Sequence, residues 1–473
     1  MDASRDKKMF GMKVDDVTEA QDEIKVTTTG AIFILGKRSK GEIQCYQRIG
    51  KERLAATMTL NASLKDLTID WSDEESCFLM RPVTDLGIGI RINADSTLSI
   101  RSDGSVKKIS YTGEWMPVYR AVEQGNFLFM DENGGVSAYP LKFGKYHTST
   151  TKARFSKKGW QASLSFLGER LLTSVFPPRQ FDWDKPFNDR IVHHFFSHPA
   201  TKPWNPYPRD DELEEYSRWG NILALHWWQH GFLTGRGKGV QSRQDLIHNS
   251  PWSSFHPVPV NEDEMKRTVS KAHQLGMRVI VYMTSFYHPG EPDEFVNEVD
   301  SVVRRFQLDG IYIDGVSNDI VRAYTVMRGL RKMLGNKILF VHVPSPIIGK
   351  YDRDYVYCPF IETYADYILK AEHIFTFDWK HLRYTISGCN ISNSIGYACN
   401  YDYDPKFTKW LIKQSPKANT RLLYWVGFDA YVEERQKIIG RKYYPLELSR
   451  KLMREEYFPL LDAMQKQHTR SHP

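Results

Sequence analysis

The chain has 473 residues, of which 41% are hydrophobic and 26% charged, and it carries a formal net charge of +7. This is the make-up of a folded protein of two or three domains, not of a disordered or fibrous one. The basic excess is modest and forms no Lys/Arg stripe around a nucleic-acid motif, which excludes nucleic acid as the expected partner and leaves room for an acidic ligand.

The N-terminus, Met1-Asp-Ala-Ser-Arg-Asp-Lys-Lys, has no apolar stretch behind its charges. No apolar run approaches the ~20 residues of a membrane-spanning helix. The expectation is a protein with no membrane partner, cytoplasmic as the sequence stands, or secreted or periplasmic if a leader has been removed. Cys45, Cys77, Cys358, Cys389 and Cys399 are odd in number and include no Cys-x-x-Cys. Buried reduced thiols are therefore expected rather than a disulfide framework.

The first part of the chain reads as β structure. Residues 31–35, 56–60, 88–92, 97–100, 126–130 and 160–167 are apolar, β-prone runs, with turn residues such as Ser102-Asp-Gly-Ser and Asp131-Glu-Asn-Gly-Gly between them. No long helical period interrupts them. An N-terminal β-sandwich over residues 1–180 is the expectation. Pro177, Pro178, Pro186, Pro199, Pro203, Pro206 and Pro208 then mark a strap, because proline at this density breaks regular structure.

Beyond it, strands and helices alternate. Strand candidates are 191–196, 222–228, 278–284, 310–314, 337–343, 365–372, 393–398 and 422–428. Helices are expected from Asn261 to Leu275, from Pro292 to Arg305 and from Asp319 to Leu334. Each has acidic residues at or near its start and basic residues near its end, and Gly276 and Gly335 follow two of them. That follows the helix dipole and the C-cap preference. The fold class expected is thus multidomain β plus α/β: the sandwich followed by a (β/α)8 TIM-like barrel over residues 181–473. An open doubly wound sheet is the alternative.

In such a barrel the active site lies at the C-terminal ends of the strands. The most informative stretch is Leu308-Asp-Gly-Ile-Tyr-Ile-Asp-Gly, a short apolar strand that ends in Asp314 and breaks at Gly315. The other expected strand ends offer His226, Trp227, Trp228, Tyr282, His342, Glu372, Trp425 and Asp429. Aromatic faces suit the C–H faces of sugar rings, and two carboxylates are the minimal kit for glycoside hydrolysis. Asp314 and Glu372 are therefore the expected catalytic pair, and His226, Trp227, Trp228, Tyr282, His342, Trp425 and Asp429 the expected substrate-binding residues. Strand alternation forbids Trp227 and Trp228 from both pointing inward. Glu362 and Asp366, before or at the start of the sixth strand, are expected in stabilising roles, although Glu362 stands as the alternative acid. Asp319 is expected to cap a helix. No metal or organic cofactor is expected. His193-His194 and His226-x-x-x-His230 read as core or rim histidines, since neither pair would share a helix face.

Three stretches together resemble a glycoside hydrolase with an N-terminal sandwich and a catalytic barrel: Leu171-Leu-Thr-Ser-Val-Phe-Pro-Pro-Arg, Ala272-His-Gln-Leu-Gly-Met-Arg-Val-Ile-Val-Tyr and Phe306-Gln-Leu-Asp-Gly-Ile-Tyr-Ile-Asp-Gly. The layout is similar to family 123 type hydrolases. It is also similar to the retaining α-glycosidases of the α-galactosidase and family 31 group, which place an Asp nucleophile on strand four and a carboxylic acid/base on strand six. The resemblance implies Asp314 as nucleophile and Glu372 as acid/base. Asp314 is followed by Gly315, where family 123 enzymes carry an Asp-Glu pair. The expected function is a retaining, exo-acting glycosidase that removes a terminal α-linked sugar from an oligo- or polysaccharide, acidic ones included. The alternatives are a substrate-assisted β-N-acetylhexosaminidase of family 123 type and a non-catalytic glycan-binding protein on a barrel.

Overall fold

The computed structural model describes residues 11–37, 41–61, 63–64, 67–72, 77–82, 88–102, 106–123, 125–140, 150–165, 170–180, 188–195, 206–229, 257–286, 288–317, 319–342, 359–369, 396–397, 405–414, 421–427 and 446–471. Two antiparallel sheets, each of eight strands, come first. One runs, in spatial order, Val14–Glu19, Glu23–Thr28, Ala31–Gly36, Gly41–Gln47, Arg53–Leu60, Lys108–Gly113, Gly159–Ser165, Thr151–Ser156. The other runs Tyr119–Glu123, Asn126–Asp131, Gly134–Pro140, Arg170–Phe176, Thr97–Ser102, Ile88–Asn93, Cys77–Pro82, Leu67–Ser72.

The period-two pattern explains why these sheets face each other. In Ala31–Gly36 every second residue is buried, so Ala31, Phe33 and Leu35 enter one core with Ile43, Met58, Ile90, Ile92, Phe127 and Phe129. Asn126–Asp131 is buried on both faces. Its odd positions, Phe127 and Phe129, join the sandwich core. Its even positions, Leu128 and Met130, join a second core with the parallel sheet described next. The second antiparallel sheet is therefore a middle layer. Cys45 is a buried free thiol; Cys358, Cys389 and Cys399 lie outside the described residues.

The parallel strands are β1 (Ile191–His194), β2 (Ile222–Leu225), β3 (Arg278–Met283), β4 (Gly310–Asp314), β5 (Ile338–His342), β6 (Tyr367–Leu369), β7 (Gly396–Tyr397), β8 (Arg421–Leu422) and β9 (Tyr424–Val426). Seven form one sheet in the order β6-β5-β4-β3-β2-β1-β9, while β7 and β8 pair separately. The pairing of β1 with β9 matters most, because it brings the start of the chain's parallel half against its end. Among the described residues the margins β6 and β9 do not pair, so these strands form a parallel half-barrel.

The helices are α1 (Asp210–Tyr216), α2 (Glu262–Gln274), α3 (Pro292–Arg305), α4 (Ile320–Leu334), α5 (Pro359–Glu362), α6 (Pro405–Gln414), α7 (Leu446–Leu452) and α8 (Phe458–Ser471), with a π-helical turn at Met453–Tyr457. Asn261 caps α2 by accepting from the amides of Asp263 and Glu264 at 3.0 and 3.1 Å. Asp319 caps α4 by accepting from Arg322 N at 2.8 Å, the role expected for it. Gly276 and Gly335, at φ +75° and +59°, end α2 and α4.

Some strand boundaries differ from expectation. The second strand stops at Leu225, so His226, Trp227 and Trp228 lie beyond it. His226 N still donates to His194 O at 2.9 Å and Trp228 O accepts from Val260 N at 2.8 Å, but the run adds no further ladder to the strand. The sixth strand is only Tyr367–Leu369, and Ala365 and Asp366 lead into it. Asp366 leads into the ladder, its amide donating to Leu339 O at 2.8 Å, while its carboxylate accepts from Arg331 at 2.6 Å and from Leu339 N at 2.8 Å. Arg331 and Asp366 are both fully buried, and Arg331 also donates to the carbonyls of Tyr364, Gly335 and Lys337. A buried ion pair survives only when its remaining donors are also met in this way.

The sandwich is tied to the parallel half by Asp95, at the turn between Ile88–Asn93 and Thr97–Ser102. Its Oδ2 accepts from Tyr324 OH of α4 at 2.6 Å and from Tyr364 OH. Its Oδ1 accepts from Thr97 Oγ1 at 2.6 Å. Arg179 adds bonds to the carbonyls of Thr363 and Ala365 at 3.3 and 3.2 Å. Replacing Asp95 by Ala would take the carboxylate from two buried phenols, of which Tyr324 keeps Thr97 Oγ1 at 3.4 Å. Each unmet polar group costs on the order of 1–3 kcal/mol. Urea unfolding of Asp95→Ala should show an unfolding free energy lowered by a total of about 3 kcal/mol, with Tyr364→Phe costing about half as much.

Candidate active site

The site is built on in-register pairing at the C-terminal ends of β3, β4 and β5. Tyr282 is level with Tyr312, and Tyr312 with Phe340. Two residues further on, Asp314 is level with His342. With a side-chain period of two, Tyr312 and Asp314 project from the same face of β4, the acid one step nearer the mouth. A carboxylate thus stands above a layer of aromatic rings.

Below the acid the packing is dense. Tyr282 and Tyr312 have centroids 5.8 Å apart, and Tyr312 and Phe340 4.6 Å. His193 of β1 lies 5.3 Å from Tyr312 and 5.6 Å from Phe340. His226 is 5.1 Å from Tyr312 and 5.2 Å from Tyr282. The two imidazoles share a hydrogen bond of 2.8 Å, His193 Nδ1 to His226 Nε2. Burial drives the His193 pKa down to about 3, with a smaller push from His342. Burial also holds His226 well below the ordinary imidazole value, followed by the nearby His193. Both are therefore neutral at pH 7.

Asp314 is held at both oxygens. His342 Nδ1 lies 2.9 Å from Oδ1. Tyr282 OH donates to Oδ2 at 3.2 Å. The Asp314 side chain retains 25% exposure, whereas that of His342 retains 7%. The acid is thus anchored from the protein side and open on the other. Gly315 follows at φ +71°, and its amide bonds to His342 O at 2.9 Å. That turn lifts the chain away from the mouth directly after Asp314.

Of the residues expected from the sequence, Asp314, Tyr282 and His342 meet in one hydrogen-bonded group. His226 sits a layer deeper, stacked on Phe195 at 4.1 Å. Trp425 lies beside Phe195 and His193 at 5.1 and 6.4 Å. The tryptophan platform is not found. Trp227 and Trp228 are 1% and 0% exposed. Trp227 packs edge-on against Phe195 at 5.4 Å. Trp228 donates its indole N–H to Tyr282 O at 2.8 Å, which pins it against the third strand. Neither indole presents a face to solvent. Glu372 and Asp429 lie outside the described residues. Glu362 is fully buried and precedes β6 together with Asp366, at the other end of the strands from Asp314. That placement removes the alternative acid.

Phe195, Tyr312 and Phe340 were not singled out in advance, and His193 only as a core or rim histidine. Period-two counting from Asp314 reaches Tyr312 within its own strand, but Phe195 and Phe340 only once the register between strands is known. His193 and His194 do alternate as expected: His193 meets His226, and His194 meets Tyr216 OH of α1 at 3.2 Å. Among the described residues no group of three or more His, Cys, Asp or Glu could hold a metal ion, and no helix is long and apolar enough to cross a membrane.

No protein-family model matches the chain, and no curated protein matches its sequence. Solved structures do. The glucosidase II alpha subunit is 8% identical with a TM-score of 0.38, over 91% of this chain and 69% of that one. A Flavobacterium johnsoniae GH31 dextranase, complexed with isomaltotriose, is 10% identical with a TM-score of 0.37, over 96% and 70%. A GH31 alpha-xylosidase from a soil metagenome, complexed with xylose, is 8% identical with a TM-score of 0.35, over 96% and 86%.

The buried imidazoles give a pH prediction. Unfolding frees them to take up protons below the ordinary value of 6.5, whereas His193 in the fold resists protonation until about pH 3. The unfolded chain then binds more protons, so stability is full above pH 6.5 and is lost as the pH falls through that window towards 3. Thermal melts from pH 7.5 to 4.5 should show a falling midpoint, and His193→Phe should flatten that fall.

Proposed function

We propose that the chain is a retaining glycoside hydrolase in which Asp314 attacks the anomeric carbon of a terminal α-linked sugar. The observation that supports this best is the setting of Asp314: it ends the fourth parallel strand, is held at both oxygens, and keeps one side open to solvent. A nucleophilic carboxylate must be ionised and fixed in direction. The Tyr282 hydroxyl and the His342 imidazole serve the second need, because they fix the carboxylate from two sides.

The parallel strands are taken to complete a (β/α)8 barrel over residues 181–473, with residues 1–180 as the sandwich. Glu372, beyond β6, is then the acid/base. In the first step an Asp314 oxygen bonds to the anomeric carbon while the glycosidic bond breaks, and the leaving oxygen takes the proton of Glu372. In the second, Glu372 removes a proton from water, the water oxygen bonds to the anomeric carbon, and Asp314 leaves as a carboxylate. Two inversions restore the starting anomer. That sequence requires carboxylates ~5–5.5 Å apart, against ~6.5–9.5 Å for single inversion. The α-linkage and the terminal position of the sugar come from the resemblance to the retaining α-glycosidases.

A panel of aryl glycosides of both anomers, including uronic and sulfated forms, identifies the sugar. Asp314→Asn should then abolish turnover while keeping the wild-type melting temperature. Glu372→Gln should lower kcat/KM for poor leaving groups by about 10²–10⁴-fold and spare that for good ones, whose kcat falls because release of the glycosyl-enzyme loses its base. Tyr282→Phe, which removes one bond to a charged carboxylate, should lower kcat by about ten- to a hundred-fold. A folded Asp314→Asn variant with near-normal activity contradicts the assignment.

A further inference from the structure

The parallel ladder does not treat the two sides of Asp314 alike. On the β5 side it runs to the acid itself: Asp314 is level with His342, and Gly315 N donates to His342 O at 2.9 Å. On the β3 side residue-for-residue pairing ends one step earlier, at Met283 and Ile313. Tyr282, whose hydroxyl meets Asp314 Oδ2, is carried on that less paired side.

Past that point one amide still crosses, Phe286 N to Gly315 O at 3.2 Å. Two hydroxyls add to it. Thr284 Oγ1 donates to Gly315 O at 3.3 Å, and Ser285 Oγ to Val316 O at 2.6 Å. Thr284 and Ser285 are both buried. The turn that follows the acid is thus held to the end of β3 largely by side chains. The loop that carries them is itself fixed. Ser285 O accepts from His288 N at 3.2 Å, and Arg322 of α4 donates to His288 O at 3.1 Å.

A buried hydroxyl that meets a carbonyl ordinarily does no more than satisfy both groups. Place sets these two apart. They cross from the strand that bears Tyr282 to the turn that follows Asp314, at the level where the ladder has stopped. The Tyr282–Asp314 bond is already 3.2 Å long. A side-chain hydrogen bond is lost by roughly 3.6 Å, so a small parting of the two strand ends would break it. A nucleophile misplaced by about 1 Å can cost on the order of 10²-fold in rate. We propose that Thr284 and Ser285 are positioning residues for the nucleophile: their hydroxyls latch the end of β3 to the turn after Asp314 and so keep Tyr282 in reach of the carboxylate. This role rests on the glycosidase function given above, and it acts through Tyr282 and Asp314 rather than through contact with the sugar.

The test uses the aryl glycoside that the wild-type chain turns over fastest. Ser285→Ala removes the shorter bond, and Thr284→Val removes the longer one with little change of shape. Ser285→Ala should lower kcat by about ten-fold or more, with KM changed by less than about two-fold. Thr284→Val should fall between it and the wild type. A double-mutant cycle gives the readout that a merely structural role would not move. Once Tyr282→Phe has removed the bond, Ser285→Ala should cost little further, so the double variant should be about as slow as the slower single one. The same cycle with Thr284→Val decides the matter if Ser285→Ala does not fold. Rates are taken well below the melting temperature of each variant, fixed by circular dichroism. Effects that multiply in the double variant would overturn the latch. So would a raised KM with unchanged kcat, or a kcat within about two-fold of wild type in both single variants. With Asp314→Asn inactive, each of those results leaves the glycosidase function standing. A wild-type chain that hydrolyses none of the glycosides removes both.

Discussion

Everything at the mouth depends on the register of three parallel strands. Because β3, β4 and β5 pair without offset, Tyr282, Tyr312 and Phe340 form one level, and Asp314 and His342 form the next. A shift of one residue in β4 would turn Asp314 outward and replace it with Ile313 or Gly315. The aromatic level is the floor on which the acid stands. Its bulk also excludes water from beneath the carboxylate, which leaves the Tyr282 hydroxyl and the His342 imidazole as the groups that meet the charge from the protein side. The buried His193–His226 pair belongs to this floor. It fills space between rings as a neutral, hydrogen-bonded pair rather than as a source of protons.

The sandwich supports this assembly from one side. Asn126–Asp131 is buried on both faces, so the middle sheet has a core above and a core below. Asp95 crosses the junction to α4 and to the segment before β6, where Arg331 and Asp366 lock the same segment to β5. These polar clusters lie before the starts of the strands or on the helix face, away from the ends that carry Asp314. Conserving shape at one end and leaving chemistry to the other is the division of labour that parallel strand–helix folds allow.

Much of this was legible in the residues. The strand Gly310–Asp314 and the helix Pro292–Arg305 fall where hydrophobic pattern and terminal charges put them, and Asp319 takes the cap its position suggests. Polar edge strands were not legible: Val14–Glu19 has apolar residues only at its first and fourth positions, too few for a period of two. The fate of Trp227 and Trp228 was hidden for another reason. Their β-prone run reads as a strand end, but the indole of Trp228 is claimed by a carbonyl on the neighbouring strand, a partner more than fifty residues away.

The central claim is that an oxygen of Asp314 forms a covalent bond to the sugar. Trapping tests it most directly. A 5-fluoro glycosyl fluoride of the sugar that the chain turns over forms the glycosyl-enzyme quickly and releases it slowly. Intact mass should rise by one glycosyl unit, and peptic mapping should place that unit on the peptide containing Asp314. An adduct on a different carboxylate, or steady turnover with an inverted product and no adduct, would contradict it.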